Sequence, residues 1–256
     1  MILEAERNYM RNKLLLAHLI LLLFVSSLFS QKGEDYISLY QNNEFQKSYD
    51  IITSKLNEIY SKRVEEKKIP AGYISFSNVG EDVNLLTLFK NRRAKGFFIE
   101  DNAELSQLHF YAGKCCVKLN KKKDGLNHYI QSLRFKNLEL QKDDEIYYEI
   151  SQIFKTYTEP EFYKGYISAL EQAYTLNPAQ YMYSYEIGNA LSSTTEKKKA
   201  IFHLKRYLEN TDEEIKPEFY LKLGNLYESI GKYLETEKYY NEYLRLKPDD
   251  GEMFFS

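Results

Sequence analysis

The chain has 256 residues, of which 43% are hydrophobic and 28% are charged, and its formal net charge at pH 7 is −2. This apolar content excludes a chain that is disordered throughout, and the length suits one extended domain or two small ones. The near-neutral charge gives no global reason to expect nucleic acid or an anionic membrane surface as a partner.

Residues 1–30 have the pattern of a secretory signal peptide. Basic residues precede an apolar run from Leu14 to Phe29, and small polar residues follow it. Translation from Met10 would give a better signal sequence, because it removes two acidic residues. The alternative is an uncleaved inner-membrane anchor that faces the chain to the periplasm, but the run is shorter than the roughly 20 residues that span a bilayer. The sequence therefore predicts export by the Sec route to the periplasm.

Residues 31–62 predict two helices joined by a turn at Asn42 and Asn43. They look like a degenerate first copy of a unit that recurs further along the chain. Residues 63–105 do not follow that unit. Their proline and glycines indicate a loop or short hairpin, and an amphipathic helix follows, so we interpret this segment as an insertion.

A pattern of about 34 residues then recurs in four frames. Small residues recur at the eighth, twentieth and twenty-seventh positions, and proline or glycine marks the turns. The four frames are residues 106–140, 147–180, 181–216 and 217–250, with a spacer at 141–146. The residues at these repeat positions are Gly113, Gly125, Ala173, Pro178, Gly188, Ala200, Gly224, Gly231 and Pro248.

This pattern resembles the tetratricopeptide repeat (TPR). The resemblance implies an all-α fold, a right-handed solenoid of antiparallel helix pairs with one non-repeat insertion. Gly224 is then expected to be a close interhelical contact, and Gly231 a left-handed turn just past a helix end. Tyr220, Tyr227 and Tyr233 are expected to pack in the core of their unit.

The sequence offers no arrangement that indicates catalysis, a cofactor or a metal site. His109, His128 and His203 belong to no metal-binding or catalytic motif, and we interpret them as packing residues. Cys116 is expected in the core, whereas Cys115 is expected to be semi-exposed and able to pair with another chain. We therefore predict that the protein is not an enzyme.

The TPR resemblance also implies a concave groove for a partner, lined by fixed positions of each first helix. An aromatic groove of this kind suits an extended or helical protein segment. Tyr185 and Leu221 stand where a carboxylate clamp would place a lysine, so such a clamp is not predicted. The predicted groove residues are Phe110, Lys114, Tyr148, Lys155, Met182, Tyr185, Asn189, Leu221, Asn225 and Glu228, and Ser151 shares the fifth position.

The apolar C-terminal tail, residues 251–256, is expected to fold back on the last unit or to meet another molecule. Together these features predict a non-catalytic interaction scaffold of the cell envelope, a subunit of a motor collar, secretion system or envelope-biogenesis assembly. The expected partners are proteins, without nucleic acid, and oligomers are compatible with the sequence. A membrane is expected only through an uncleaved N-terminal segment. The alternative is a ligand-binding accessory protein for a transporter or for peptidoglycan, with a pocket shaped by residues 63–105.

Overall fold

A computed structural model describes residues 35–65, 100–136 and 143–249. The predicted signal peptide, most of the predicted insertion and the C-terminal tail lie outside the described residues. No helix within the described ranges is long and apolar enough to cross a membrane. The helices and strands are α1 (Tyr36–Gln41), α2 (Phe45–Glu65), β1 (Glu100–Asp101), α3 (Ala103–Lys118), α4 (Lys122–Arg134), β2 (Phe135–Lys136), α5 (Asp143–Lys155), α6 (Pro160–Leu176), α7 (Tyr181–Leu191), α8 (Lys197–Asn210), α9 (Pro217–Ser229) and α10 (Tyr233–Leu246).

Four of the described helices, α1, α3, α6 and α9, begin at residues that suit a helix N-terminus. The Asp35 side chain accepts a hydrogen bond from the Ile37 amide, and the Asn102 side chain accepts one from the Leu105 amide. Both bonds satisfy amides that have no partner within the helix. Proline opens α6 and α9, where its fixed φ fits the helix and its missing N–H costs nothing.

Residues with a left-handed backbone conformation form three of the turns inside the helix pairs. Asn43, Asn120 and Gly231 have φ values of 63°, 60° and 71°. Asparagine and glycine tolerate this region better than other residues. Asn120 and Gly231 both occupy the fifteenth position of their frames, so one turn geometry recurs with two residue types.

The fold consists of antiparallel helix pairs that stack along the chain. Helices α3 and α4, α5 and α6, α7 and α8, and α9 and α10 pack as pairs, and each pair contacts the next. One continuous apolar core runs from Phe110 in α3 to Tyr239 in α10, and a second cluster lies between α2 and α3. Apart from the short parallel pairing of β1 with β2, the described chain is helical, which confirms the all-α fold.

Glycines lie where two helices of a pair approach each other closely. A Cβ built at Gly113 would come within 2.6 Å of the Tyr129 ring, and one at Gly188 within 2.6 Å of Leu204. At Gly224 the distance to the Tyr240 ring would be 2.3 Å. Each glycine is therefore a contact surface for the second helix of its own unit. Ala173 and Ala200 are also fully buried.

Two first helices begin earlier than the frames predict. Helix α5 begins at Asp143, four residues before Tyr147, so the predicted spacer is partly helical. Three acidic residues fill its first turn, and carboxylates stabilise a helix N-terminus. Helix α3 begins at Ala103, three residues before Ser106, because Asn102 caps it there.

Two predicted burial states are wrong. Tyr233 was expected to pack, but it is the first residue of α10 and 73% of it is exposed. Cys115 was expected to be semi-exposed, but it is fully buried because α2 packs against α3, and its thiol contacts Ser48 Oγ at 3.4 Å. Tyr227 is buried as expected, and Tyr220 packs against the core from a half-buried position.

Candidate partner-binding clefts

Two clefts of about 370 Å³ each lie at consecutive junctions between helix pairs. The first, which we call the tyrosine cleft, is lined by Phe154, Lys155, Tyr157, Tyr163, Tyr166, Tyr185, Glu186, Asn189 and Ala190. The second, which we call the terminal cleft, is lined by Ser192, Lys197, Glu218, Leu221, Lys222, Asn225, Leu226 and Ser229. In both, a first helix meets the turn and second helix of the preceding pair.

The walls of the tyrosine cleft are fixed by hydrogen bonds between helix pairs. The Tyr163 hydroxyl donates to the carbonyl oxygen of Ala190, and the Tyr166 hydroxyl donates to Glu186 Oε2 at 2.5 Å. The Tyr157 ring stacks on Phe162, with ring centroids 4.4 Å apart. These contacts join α6 to α7, and the turn between α5 and α6 to α6, so the cleft is already formed in the free chain.

Glu186 is the charged centre of the tyrosine cleft. Its side chain is only 15% exposed, and Lys155 Nζ lies 2.8 Å from Oε2, the same oxygen that Tyr166 contacts. Its other oxygen, Oε1, has no hydrogen-bond partner within the described ranges. Burial, together with the hydrogen bond to the carboxylate, raises the pKa of Tyr166 above its usual value, so the hydroxyl stays protonated and donates.

Within the described part of the chain, the terminal cleft is lined by two lysines and by no aromatic ring. Lys222 Nζ donates to Asn189 Oδ1 at 2.5 Å, and burial lowers the pKa of this lysine. The Tyr240 hydroxyl donates to Asn225 Oδ1 at 2.7 Å and to Glu228 at 2.9 Å. Both predicted asparagines therefore already accept one intramolecular hydrogen bond through their side-chain oxygens.

A third junction, between α3 and α5, is closed by charged groups. Lys114 Nζ lies 2.9 Å from Glu145 and 3.8 Å from Glu149. The Tyr129 hydroxyl donates to Glu149 at 3.3 Å. Burial raises the pKa of Glu149, and Lys114 opposes that shift. Both oxygens of Glu149 thus face a partner, which distinguishes this carboxylate from Glu186.

The structure separates the predicted groove residues into three groups. Lys155, Tyr185, Asn189, Leu221 and Asn225 line the two clefts. In contrast, Phe110 and Ser151 are buried, because α3 and α5 turn these positions toward the core. The remaining four, Lys114, Tyr148, Met182 and Glu228, lie on first helices outside the cleft linings, where Tyr148 and Met182 pack against the core.

The sequence pattern missed most of the chemistry of the tyrosine cleft. Glu186 lies one position after a predicted groove position, and Tyr163 and Tyr166 lie on a second helix that the groove pattern does not include. The available signal was the tyrosine-rich run from Tyr157 to Tyr166, opposite an acidic residue on α7. Only the stacking of α6 on α7 brings these groups together.

The histidines form a buried cluster away from the clefts. His109 Nδ1 and His128 Nδ1 are 2.9 Å apart, and the hydroxyls of Tyr60 and Tyr49 lie 3.1 Å and 3.4 Å from their Nε2 atoms. Burial lowers the pKa of His128 to about 4 and that of His109 well below its usual value. A neutral pair can share one N–H between the two Nδ1 atoms, so this cluster joins α2 to the α3–α4 pair. The described residues contain no group of three or more His, Cys, Asp or Glu side chains that could hold a metal.

Comparison with known proteins identifies the repeat unit. Residues 217–250, the same residues as the last frame, match the tetratricopeptide repeat model. This match confirms the TPR resemblance at α9 and α10. A comparison with curated proteins found no match.

Comparison with solved structures returned several matches of low sequence identity. A structure titled "Crystal structure of MamA" is 18% identical, with a TM-score of 0.44, and covers 66% of this chain and 89% of its own. One titled "MamA AMB-1 P212121" is 16% identical, with a TM-score of 0.45, and covers 78% and 93%. One titled "Crystal structure of YrrB: a TPR protein with an unusual peptide-binding site" is 14% identical, with a TM-score of 0.45, and covers 84% and 94%.

Proposed function

We propose that this tetratricopeptide repeat protein is a non-catalytic scaffold that binds a segment of a partner protein along its first helices. The observation that carries the proposal is the pair of equivalent clefts at consecutive junctions. Each holds a half-buried side chain at the fifth position, Tyr185 or Leu221, and an asparagine at the ninth, Asn189 or Asn225. Clefts repeated at the spacing of a solenoid suit a partner segment that is read one side chain at a time.

The chemistry of the clefts supports a peptide rather than a small apolar ligand. The tyrosine cleft combines aromatic surface with the Lys155–Glu186 pair, and the terminal cleft combines aliphatic surface with Lys222 and the Asn225 amide. Peptides present amide groups and varied side chains together, so they can use both kinds of surface. A small apolar ligand binds best where most of its surface is covered by apolar groups, whereas charged and amide groups make up part of both linings.

We further propose that the scaffold works in the cell envelope, as a subunit of a periplasmic assembly. The support is the signal-like segment at residues 1–30. Cell fractionation and N-terminal sequencing of the mature chain test this location. A chain that stays in the cytoplasmic fraction with its N-terminal segment intact would overturn the envelope role but would leave cleft binding standing.

Site-specific crosslinking tests the cleft proposal directly. A photoreactive phenylalanine analogue is placed at Leu221 in the terminal cleft, and in a control variant at Leu234, which is 82% exposed on α10. We expect the Leu221 variant to crosslink to one main partner in living cells and the Leu234 variant not to do so. Crosslinks to the same proteins from both positions, or none from Leu221, would contradict the proposal.

The second candidate function, a ligand-binding accessory protein, depends on the predicted insertion at residues 63–105. Residues 66–99 of that segment lie outside the described residues. No observation on the described residues therefore favours it over the scaffold.

A further inference from the structure

We infer that the tyrosine cleft takes an arginine or lysine side chain of the partner segment, with Glu186 as the counter-ion and Lys155 moved aside. This inference rests on the proposed function and specifies the partner at one cleft. Three observations carry it: the half-used carboxylate, the rings around it, and the contrast with the neighbouring junctions.

The first observation is the unequal use of the two Glu186 oxygens. Lys155 and Tyr166 both contact Oε2, so Oε1 is left without a hydrogen-bond partner in the described part of the chain. A carboxylate accepts hydrogen bonds on both oxygens, and a guanidinium donates to both in a fork. The side chain is largely buried, which makes an unused acceptor costly and a cationic donor at Oε1 favourable.

The second observation is the aromatic surface next to this carboxylate. Tyr157, Tyr163, Tyr166 and Tyr185 all line the cleft. Faces of aromatic rings attract cations, arginine in particular. Lys155 already shows this attraction within the chain, because its Nζ lies 5.6 Å from the centroid of the Tyr166 ring while it pairs with Glu186. The ammonium group of Lys155 therefore occupies the place in the cleft where we expect the partner's cation to bind.

Lys155 is well suited to be displaced. About half of its side chain is exposed, and it contacts Glu186 through a single oxygen. Lys155 is the exposed half of this pair, so water readily solvates its ammonium group on release and the side chain regains rotamer freedom. An arginine with two donors and a planar face would make stronger contacts with the same groups.

The third observation is that the neighbouring junctions lack this chemistry. Glu149 receives Tyr129 as Glu186 receives Tyr166, but Lys114 lies 3.8 Å from its second oxygen, so a cation of the chain already stands beside that oxygen. In the terminal cleft Lys222 occupies the sixth position of its frame, where Glu186 stands in the preceding frame. A cation is therefore expected at the tyrosine cleft and not at the terminal cleft.

Peptide selection with the full chain tests this inference. Random peptides displayed on phage are selected on the purified protein, and the best binder is synthesised with and without its basic residue. We expect selected peptides to share an arginine or lysine, and replacement of that residue by norleucine to weaken binding at least tenfold. Charge-assisted hydrogen bonds are strong enough for a loss of that size.

Two variants of the protein should change the affinity for the basic peptide in opposite directions. Glu186→Gln keeps the shape and an acceptor for Tyr166 but removes the charge, so it should weaken the basic peptide about tenfold and leave the norleucine peptide unchanged. Lys155→Ala removes the competing cation and should strengthen the basic peptide a few-fold. Glu237→Gln, on an exposed part of α10 outside both clefts, is the control for loss of a carboxylate and should change binding less than twofold. Helical circular dichroism checks that each variant is folded.

The outcomes separate the inference from the proposed function. Selected peptides that bind in the clefts without a shared basic residue would overturn the inference and leave the scaffold proposal intact. Weaker binding by Lys155→Ala would overturn it as well, because Lys155 would then hold an acidic partner group. Failure to select any binding peptide would count against the scaffold proposal and the inference together.

Discussion

Replacing Gly188 by alanine should destabilise the protein, although alanine is the better helix former. An added Cβ would lie 2.6 Å from Leu204 Cγ and 3.0 Å from the Leu204 backbone nitrogen. Leu204 is fully buried, so neither its side chain nor the backbone of α8 has room to move. Overpacking of this kind costs about 3 kcal/mol at the upper end of its range. Alanine returns about 1 kcal/mol through helix propensity, so we expect a net loss of about 2 kcal/mol.

Gly224→Ala provides the matched control. Its Cβ would come even closer to a neighbour, at 2.3 Å from the Tyr240 ring. However, Tyr240 is half-buried and its hydroxyl bonds are exposed, so the ring can rotate outward at the cost of the bonds to Asn225 and Glu228. That cost is about 1 kcal/mol and offsets the propensity gain. We expect the stability of this variant to stay close to wild type.

Urea unfolding of the full chains, followed by helical circular dichroism, measures the difference. Because stacked repeats can unfold in parts, hydrogen exchange in α7 and α8 should accompany it and should show the loss locally for Gly188→Ala. If Gly188→Ala proved as stable as Gly224→Ala, the explanation from a rigid buried neighbour would be refuted.

Three further predictions follow from single features of the fold. Gly231→Val should lower the free energy of unfolding by about 1–2 kcal/mol, because a β-branched residue at φ +71° is strained although nothing lies within 4 Å of the added Cβ. Gly231→Asn should lower the free energy of unfolding by less, and urea unfolding of both variants measures the difference. Lowering the pH from 7.5 to 5 should reduce the free energy of unfolding by about 2 kcal/mol from His128 alone. The pKa of His128 is about 4 in the folded chain and 6.5 in the unfolded chain, so only the unfolded chain binds a proton in that range. An unfolding midpoint that does not change over this range would contradict the buried neutral pair. Cys115 and Cys116 are fully buried and burial raises the pKa of both thiols, so a thiol reagent should label them in urea but not in the native protein, and labelling of the native chain would show that α2 does not cover α3.

The sequence pattern predicted the structure correctly where a backbone feature requires one or two residue types. Glycine at the eighth position predicts a close helix approach, and Gly188 and Gly224 lie at such approaches. Asparagine or glycine past a helix end predicts a left-handed turn, and Asn43 and Gly231 adopt it. Asn120 adopts the same conformation and carried the same signal, since it stands at the fifteenth position of its frame.

The pattern was less informative where a contact depends on a neighbouring unit. Cys115 was expected to be semi-exposed because its own unit leaves it so, yet α2 of the preceding pair covers it. The start of α5 was misplaced because the repeat frame ignores the acidic first turn at Asp143. The hydroxyls of Tyr49 and Tyr60, on α2 of the preceding pair, contact the buried His109 and His128, and the spacing within frame 106–140 does not indicate those contacts.

At the candidate site, the repeat determines how the helices stack but not which side chains pair at each junction. Lys114 and Lys155 both reach a carboxylate on the next first helix, Glu145 and Glu186. At the last junction the direction reverses, because Lys222 on the later helix reaches back to Asn189. Helix pairs stack at all three junctions, so the stacking does not require either arrangement. Differences at positions that the stacking leaves free are what give each junction its own charge, and a partner segment bound along them would be held in a single direction and register.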